Sequence, residues 1–369
     1  MSRPIPISVV LVAFALIAAA CAQSEAAEEV TTSTAAPVTT MAPTSTIVTT
    51  TTQASTTTTT TIPAIEVFDT VNGLEPMSDE LMDRRTVTVK IDNKSSARPQ
   101  AGIQEADLVY EMLVEAGLTR FAFVFHQSDL DWVGPVRSGR VTDLGALLWM
   151  DGLVQVSGAQ PWVQDILRKG GLRVVYDSGR STWRESHRSA PHNLYTSTFK
   201  LREQADAIGW PDDNPGNIFD FGEPTESSVA ATEVRFDWSS QPDVVWRWNG
   251  DLYERYNEDE PHMWVTEETR TQEGEIVTTP TLVVITGRKY LNHDPTGWGS
   301  SIPTIETKGE GDAYVFTSGT VVEGRWQRDS YKDTFDLTEP DGTPIILEPS
   351  KMWVIVFPDN RTVTWNAEE

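Results

Sequence analysis

The segment Thr86-Val-Thr-Val-Lys-Ile91 decides the fold class, because its polar and apolar residues alternate. Alternation with a period of two is typical of a half-buried β-strand. Two apolar runs of strand length follow, at residues 108–114 and 121–125. Leucines spaced at i, i+3 and i+4 then predict a helix over residues 142–150. The chain therefore starts with strands and continues with a helix.

The same alternation of elements continues up to a polar stretch. Residues 153–156 and 172–176 have strand patterns, and helices are expected over 161–170 and 198–208. Strands that alternate with helices indicate a mixed α/β layer with locally parallel strands. Residues 211–227 are rich in Pro, Gly, Asp and Asn, which is typical of a boundary between domains.

The region after this boundary has the pattern of antiparallel hairpins. Asn249-Gly250 fits a primed turn between two strand-like segments. Ser318-Gly319 and Asp341-Gly342 are turn signals of the same kind. Asp359-Asn360 is expected to join strands 353–357 and 362–365 as a hairpin. This region should form one sheet or a small sandwich.

The predicted fold class is α+β. A mixed α/β domain with alternating strands and helices is expected over residues 65–220. A mostly antiparallel β domain is expected to follow over residues 228–369. Many tryptophans fall on or beside the predicted strands of the second domain, so we expect most of them in its core.

The first 21 residues have the features of an export signal. Arg3 precedes an apolar run of 16 residues from Ile5 to Ala20, whereas a spanning helix needs about 20. The run ends in Ala18-Ala-Ala-Cys21, which resembles the lipobox of bacterial lipoproteins although Ala18 replaces the usual Leu. We expect a diacylglyceryl group on Cys21, the only cysteine of the chain, and an extracytoplasmic protein anchored to the bacterial cell membrane.

Residues 22–64 are expected to form a disordered, Thr-rich stalk. Seventeen of the 31 residues from 31 to 61 are Thr, and charged or large apolar residues are few. Such a segment cannot bury enough surface to offset the entropy lost on ordering. The stalk would hold the folded part away from the membrane.

The charge of the chain excludes several classes of function. Asp and Glu total 54 against 29 Lys and Arg, so the formal net charge of the 369 residues is −25. This balance argues against nucleic-acid binding, and one cysteine cannot form an internal disulfide. Residues 84–202 nevertheless carry 16 positive and 12 negative side chains, a net charge of +4, whereas residues 203–369 carry 12 and 33, a net charge of −21. Only the first region could hold an anion without a metal ion.

Several longer motifs resemble the YerB-like family of bacterial lipoproteins, and they cover nearly the whole chain beyond the stalk. The resemblance implies an α/β domain followed by a β-rich domain. It implies no activity, because the family is functionally uncharacterised. The motifs are Val89-Lys-Ile-Asp-Asn-Lys94, Ala97-Arg-Pro-Gln-Ala-Gly-Ile103, Ala106-Asp-Leu-Val-Tyr-Glu111, Gly134-Pro-Val-Arg-Ser-Gly-Arg140 and Ala190-Pro-His-Asn-Leu194.

The loop from Gly134 to Arg140 is the strongest candidate for an anion site. It precedes the expected helix at 142–150, and the N–H groups at a helix N-terminus attract anions. Arg137, Ser138 and Arg140 would add charged and hydroxyl donors. In the alternative interpretation the arginines form internal salt bridges to Asp92, Glu111 or Asp143, with Asp143 also able to cap the helix.

Two further arginines are candidates for the same site. Arg98 precedes Pro99, which favours an extended backbone. Arg120 opens a strand, near the strand ends where ligands of α/β sheets bind. The four arginines would converge on one pocket if these strand ends meet, but each could instead lie separately at the surface.

His192, followed by Asn193, is the best candidate for an acid or base. Asp92, Glu111 and Asp143 are the carboxylates that could act with it, or His192 could fix the loop structurally. The five histidines have no zinc-binding spacing, so no metal site and no cofactor are expected. Asp92-Asn93 could bind a cation together with Glu111, but the favoured interpretation is that these two side chains cap the turn after the strand.

Three functional hypotheses follow. The leading hypothesis is a non-catalytic binding module that recognises an anionic cell-envelope component, such as a cell-wall polymer, or an envelope protein through the arginine-bearing loop. The alternative is an enzyme acting on phosphate-linked cell-wall precursors, with arginines stabilising phosphoryl charge. The third is a regulator that docks onto a wall-synthesis enzyme. The expected partners are the membrane, reached through the lipid, and one of these envelope components.

Overall fold

The computed structural model describes residues 64–366 except 240, 271 and 273. The signal segment 1–21 and nearly all of the predicted stalk, which ends at 64, lie outside the described residues. The α-helices are α1 (Asp79–Met82), α2 (Thr142–Leu147), α3 (Pro161–Gly170) and α4 (Thr198–Ile208). Short 3₁₀ turns occupy Ser95–Ala97, Glu115–Gly117 and Leu148–Met150. None of the helices in this part of the chain has the length and hydropathy to cross a membrane.

Strands dominate the described part of the chain. In the first region they are β1 (Val87–Asp92), β2 (Gln100–Ala101), β3 (Leu108–Leu113), β4 (Thr119–Phe125), β5 (Leu153–Val156), β6 (Arg173–Tyr176), β7 (Thr182–Arg184) and β8 (Leu194–Thr196). In the second they are β9 (Glu233–Phe236), β10 (Val244–Trp248), β11 (Tyr253–Asn257), β12 (Glu260–Pro261), β13 (Met263–Val265), β14 (Glu275–Ile276), β15 (Thr278–Thr279), β16 (Thr281–Gly287), β17 (Lys289–Asn292), β18 (Ile302–Ile305), β19 (Gly309–Thr317), β20 (Thr320–Arg328), β21 (Asp336–Thr338), β22 (Met352–Pro358) and β23 (Val363–Asn366).

A ten-stranded sheet takes its strands from both regions, in the order β21-β20-β19-β16-β22-β3-β4-β1-β5-β6. The pairs β1/β5, β5/β6, β16/β22 and β22/β3 are parallel, and the other neighbours are antiparallel. The helices lie in the first region and the second region is mostly antiparallel, so the α+β prediction is confirmed. The division into domains at residues 221–227 stays a prediction.

The hairpin expected around Asp359-Asn360 is wrong. β22 enters the ten-stranded sheet between β16 and β3, both parallel to it. β23 leaves that sheet and pairs with β9 in a second sheet, which has the order β12-β11-β10-β9-β23 with β15 beside β11. The turn residues therefore carry the chain from one sheet to another.

Aromatic side chains fill the space between these two sheets. Trp246 of β10 meets Trp353 of β22 edge to face, with ring centroids 4.9 Å apart. Phe236 and Trp238 meet Phe357 of β22 in the same way, at 5.6 and 4.8 Å. Edge-to-face pairs of this kind add to the stabilisation from burial alone. The tryptophans at these positions belong to the core, as expected.

Strand β1 is buried on both faces, whereas its alternating pattern predicted a half-buried strand. All six residues are buried, including Thr88 and Lys90. The Lys90 ammonium lies 2.5 Å from Asp143 of α2, and both side chains are fully buried. Burial lowers the pKa of Lys90 and Asp143 opposes that shift. A helix therefore covers the polar face of β1, and the polar residue on that face has an ionic partner.

A second buried ion pair joins the two regions. Arg255 of β11 donates to Glu111 of β3 over 2.8 Å, and both side chains are inaccessible. Arg255 also donates to Nδ1 of His262, whose Nε2 donates to Gln100 over 2.7 Å. Burial and Arg255 hold the pKa of His262 well below its ordinary value, so the imidazole is neutral. A buried ion pair costs most when one partner is removed.

Replacing Arg255 with Met should therefore destabilise the fold strongly. Glu111 would remain buried without its cation, and the free energy of unfolding should fall by about 3–5 kcal/mol. Urea unfolding followed by tryptophan fluorescence measures this loss. The matched control is Arg247→Met on neighbouring β10, which removes partly exposed ion pairs to Glu233 and Asp259 and should cost at most about 1 kcal/mol. Equal losses of stability in the two variants would contradict the conclusion that the buried ion pair of Arg255 and Glu111 holds the two regions together.

Candidate functional site

The candidate residues lie at the edge of the ten-stranded sheet where its parallel strands end. β1, β3, β5, β6, β16 and β22 all run in one direction, and antiparallel β4 begins at that edge. Asp92, the last residue of β1, is the register partner of Arg120 near the start of β4. The carboxyl ends of parallel strands are where open sheets bind their ligands.

The loop that carries Arg137 is held against this edge by backbone hydrogen bonds. The amide of Arg137 donates to the Lys90 carbonyl over 2.7 Å, and the amide of Ser157 donates to the Arg137 carbonyl over 2.9 Å. The amide of Val136 donates to the Leu194 carbonyl over 2.6 Å. The loop thus lies between the ends of β1 and β5 and beside the segment that contains His192.

Asp92 is the centre of the polar contacts. Its Oδ2 lies 2.6 Å from Nδ1 of His192 and 3.2 Å from Nε of Arg137. Its Oδ1 accepts the Lys94 amide over 3.2 Å. The side chain of Asp92 is only 7% exposed, whereas Arg137 is 25% exposed, so solvent reaches this group from the side of Arg137.

Arg140 pairs with Glu115, a residue that the sequence analysis did not single out. The Arg140 Nε donates to Glu115 Oε2 over 2.7 Å, and Nη1 donates to the Gly139 carbonyl over 2.7 Å. Burial opposes ionisation of Glu115, but the hydrogen bond and charge of Arg140 prevail and lower its pKa. Glu115 lies just after β3, at the same sheet edge, which is the signal that could have identified it.

Arg120 is the least neutralised of these arginines. It is 8% exposed and donates through Nη1 to the Ser138 carbonyl over 2.6 Å. No carboxylate of the described residues lies within 4.0 Å of it. Burial, followed by the charge of Arg140, lowers the pKa of Arg120. Arg120, Arg137 and Arg140, here called the arginine cluster, carry three positive charges against the two of Asp92 and Glu115.

Arg98 does not join the arginine cluster. Its guanidinium donates to the side chain and the carbonyl of Asn93, both over 3.1 Å. Burial lowers the pKa of Arg98 to about 10, and the charges that act on it most are Arg255 and Glu111. Arg98 therefore faces the buried joint between the two regions.

The remaining candidates are engaged in the fold. Asp143, in the first turn of α2, is inaccessible, binds Lys90, and accepts over 2.7 Å the amide of Arg140, which precedes the helix. Glu111 is bound to Arg255, as described above. Asn193 donates to the Glu185 carbonyl and accepts from Arg184, which fixes its loop. Ser138 places its Oγ 3.4 Å from that of Ser157.

The salt-bridge interpretation thus describes part of the site. Arg137 and Arg140 have carboxylate partners, whereas Arg120 has none among the described residues. Lys90, Glu115, Ser157 and Arg255 take part in the polar network and were not identified from the sequence. In the described residues, no three or more His, Cys, Asp or Glu side chains are grouped to hold a metal ion.

Two family models match this chain. "Protein of unknown function (DUF3048) N-terminal domain" matches residues 71–210, and the corresponding C-terminal domain matches residues 232–354. Together they cover both regions of the sequence.

The similar proteins point to the same family. "Putative lipoprotein YerB" of Bacillus subtilis (strain 168) is 26% identical over 292 residues, which are 76% of this chain and 83% of the relative. A crystal structure of YerB from Bacillus subtilis superposes with a TM-score of 0.68 at 23% identity and covers 81% of this chain and 99% of that one. The structural likeness is one of fold.

Replacing Asp92 with Asn should leave more of the positive charge of the arginine cluster uncompensated. Three guanidinium groups would then face Glu115 alone, and the free energy of unfolding should fall by about 1–2 kcal/mol. Because salt screens repulsion between partly exposed charges, high salt should recover part of this loss. Urea unfolding at low and high salt measures both effects. Asp237→Asn, which removes an exposed partner of Arg361, is the control, and an Asp92→Asn variant as stable as that control would contradict the charge balance described.

Proposed function

The chain belongs to the YerB-like DUF3048 family, which is a family of unknown function, and we propose a function for it. The chain is a lipid-anchored module that binds an anionic component of the cell envelope. The name of the Bacillus subtilis relative, which includes the word lipoprotein, supports membrane anchoring. The lone Cys21 at the end of the apolar leader is the residue that would carry the lipid. Binding would take place at the arginine cluster, on the outer side of the membrane.

The observation that carries the proposal is the state of Arg120. This guanidinium is nearly buried and has one carbonyl acceptor, at Ser138. The guanidinium groups of Arg140 and Arg137 disfavour its charge, whereas the carboxylates of Glu115 and Asp92 favour it from beyond ion-pair distance. Burying a charge without an ionic partner is costly. A phosphate or carboxylate group on a ligand would supply that partner.

The neighbouring groups suit the same type of ligand. Arg137 is the most exposed member of the arginine cluster, and its single carboxylate contact at 3.2 Å leaves other donors of its guanidinium for a ligand. Ser138 follows Arg137 in the chain, Ser157 donates its amide to the Arg137 carbonyl, and the hydroxyl oxygens of the two serines lie 3.4 Å apart. Arginine presents paired N–H donors that match the oxygens of phosphate and carboxylate. The start of α2 is not part of the proposed site, because the carboxylate of Asp143 lies in its first turn.

Titration with inorganic phosphate and pyrophosphate tests the proposal. The soluble chain from residue 62 is suitable, because residues 62–369 form one compact unit. Calorimetry should detect binding, and Arg120→Ala should weaken it about 10- to 100-fold, the value of one or two hydrogen bonds to a charged group.

Two further variants keep this test informative. Arg137→Ala, at a more exposed position, should weaken binding even if Arg120→Ala folds poorly. Arg361→Ala removes an exposed arginine paired with Asp237 and should leave the affinity unchanged. If no anion binds, or if the Arg137 and Arg361 variants bind equally well, the anion-binding proposal is wrong.

A second candidate function is hydrolysis of a phosphate-linked precursor. The contact between Asp92 and His192 favours it, because a carboxylate on Nδ1 orients the ring and leaves Nε2 as a base. Among the described residues, Nε2 of His192 has no hydrogen-bond partner. The arginine cluster would stabilise the phosphoryl charge.

Turnover separates the two functions. If the chain is an enzyme, it should release nitrophenol from p-nitrophenyl phosphate, and His192→Ala should abolish that release while phosphate still binds. Asn193→Ala in the same loop is the control for loop structure. Binding of phosphate without any turnover of phosphoesters would leave the binding module as the function.

A further inference from the structure

Trp298 is a large aromatic residue that lies almost entirely outside the core. Its side chain is 93% exposed, at the tip between β17 and β18. Gly297 and Gly299 flank it, so neither neighbour covers the indole ring. A large aromatic side chain at such a position is typical of a contact residue for a ligand or partner.

The tip that carries Trp298 lies against the chain just before α3. A methyl group added at Gly299 would lie 2.6 Å from Oε1 of Gln160, so the backbone of the tip approaches Gln160 closely. The same Oε1 accepts the Trp162 indole N–H over 2.8 Å and is thereby fixed. The two segments belong to one surface.

Residues 157–160 connect this tip to the arginine cluster. Ser157 donates its amide to the Arg137 carbonyl over 2.9 Å, and Gly158 accepts the Gly139 amide over 2.9 Å. All four residues of the segment are half-buried. A methyl group added at Gly158 would meet no atom within 4 Å, so the space above it is open. An open strip of surface, formed by residues 157–160, thus leads from Arg137 to Trp298.

We propose that this strip binds an anionic saccharide, with its phosphate or carboxylate at the arginine cluster and a sugar ring stacked on Trp298. The proposal rests on the proposed function and names its ligand class. The C–H face of a sugar can pack on an indole ring while its hydroxyl groups remain in water. The strip itself carries no ionised side chain, and Asp294 is the only ionised residue of the tip. A lipid surface is the less suitable occupant, because the tip has no Lys or Arg to attract anionic headgroups.

Affinities of the full chain in detergent for four probes test the proposal. The probes are inorganic phosphate, glucose phosphate, trehalose phosphate and uncharged maltose. At least one sugar phosphate should bind about tenfold more tightly than inorganic phosphate, which is the contribution of one aromatic contact. Trp298→Ala should remove this difference and leave the affinity for inorganic phosphate unchanged, and Trp298→Phe should restore part of it. Phe199→Ala, which removes an exposed aromatic ring on α4 that is 48% exposed, is the matched control and should change nothing.

The failures of the two proposals are distinguishable. If no anion binds, the proposed function and this inference both fail. If phosphate binds in an Arg137-dependent way but the sugar phosphates bind no better, or if Trp298→Ala has no effect on them, only the saccharide assignment is overturned. Binding to phosphatidylglycerol vesicles that Trp298→Ala abolishes would also overturn it, since Trp298 would then contact lipid.

Discussion

The parallel pairing of β22 with β3 is the constraint on which the rest of the structure depends. It joins Met352 to Leu108 and Val356 to Met112, so residues more than two hundred positions apart share one sheet. Because β16 lies on the other side of β22, the antiparallel strands of the second region continue the sheet of the first. The carboxyl ends of the parallel strands of both regions then lie at one edge, which is the edge where β1, β3 and β4 bring Asp92, Glu115 and the arginine cluster together.

The joint between the two regions is polar as well as apolar. Around the Arg255 guanidinium lie the rings of Phe121, Trp246 and Trp353, each centroid between 5.3 and 5.9 Å away. Rings at this distance favour a cation through their negative faces. Glu111 provides the opposite charge and His262 an acceptor. These contacts fix the second region against β3 and β4, and β4 also carries Arg120 of the arginine cluster.

Local pattern was enough to predict individual elements but not their partners. The helix expected over 198–208 is α4, and the turn at Asn249-Gly250 joins β10 to β11. Two predictions were wrong for one reason. The alternation in β1 predicted one exposed face, and Asp359-Asn360 predicted a hairpin turn. Both predictions failed because the pattern of a segment indicates a strand but does not show which elements cover it or pair with it. The resemblance to the YerB-like family was correct, since long motifs retain information that composition lacks.

The site was predictable only in part, for the same physical reason. Arg120, Arg137 and Arg140 were predicted as anion-binding residues and Asp92 as an acid, base or salt-bridge partner, and the sheet edge brings these four together. Arg98 lies in the buried network instead, because its position depends on Asn93 and on contacts with β11. Glu115 and the strip of surface that leads to Trp298 could not be identified from the sequence, because they depend on long-range packing that no motif encodes.

The position of β22 also governs when the molecule can fold. Until β22 pairs with them, β3 and β16 each lack a neighbour and present unpaired backbone groups to other chains. Non-local pairings of this kind form slowly. The central sheet is therefore completed only when β22 has entered between β16 and β3, and the edges of these two strands are open to pairing with other chains up to that moment.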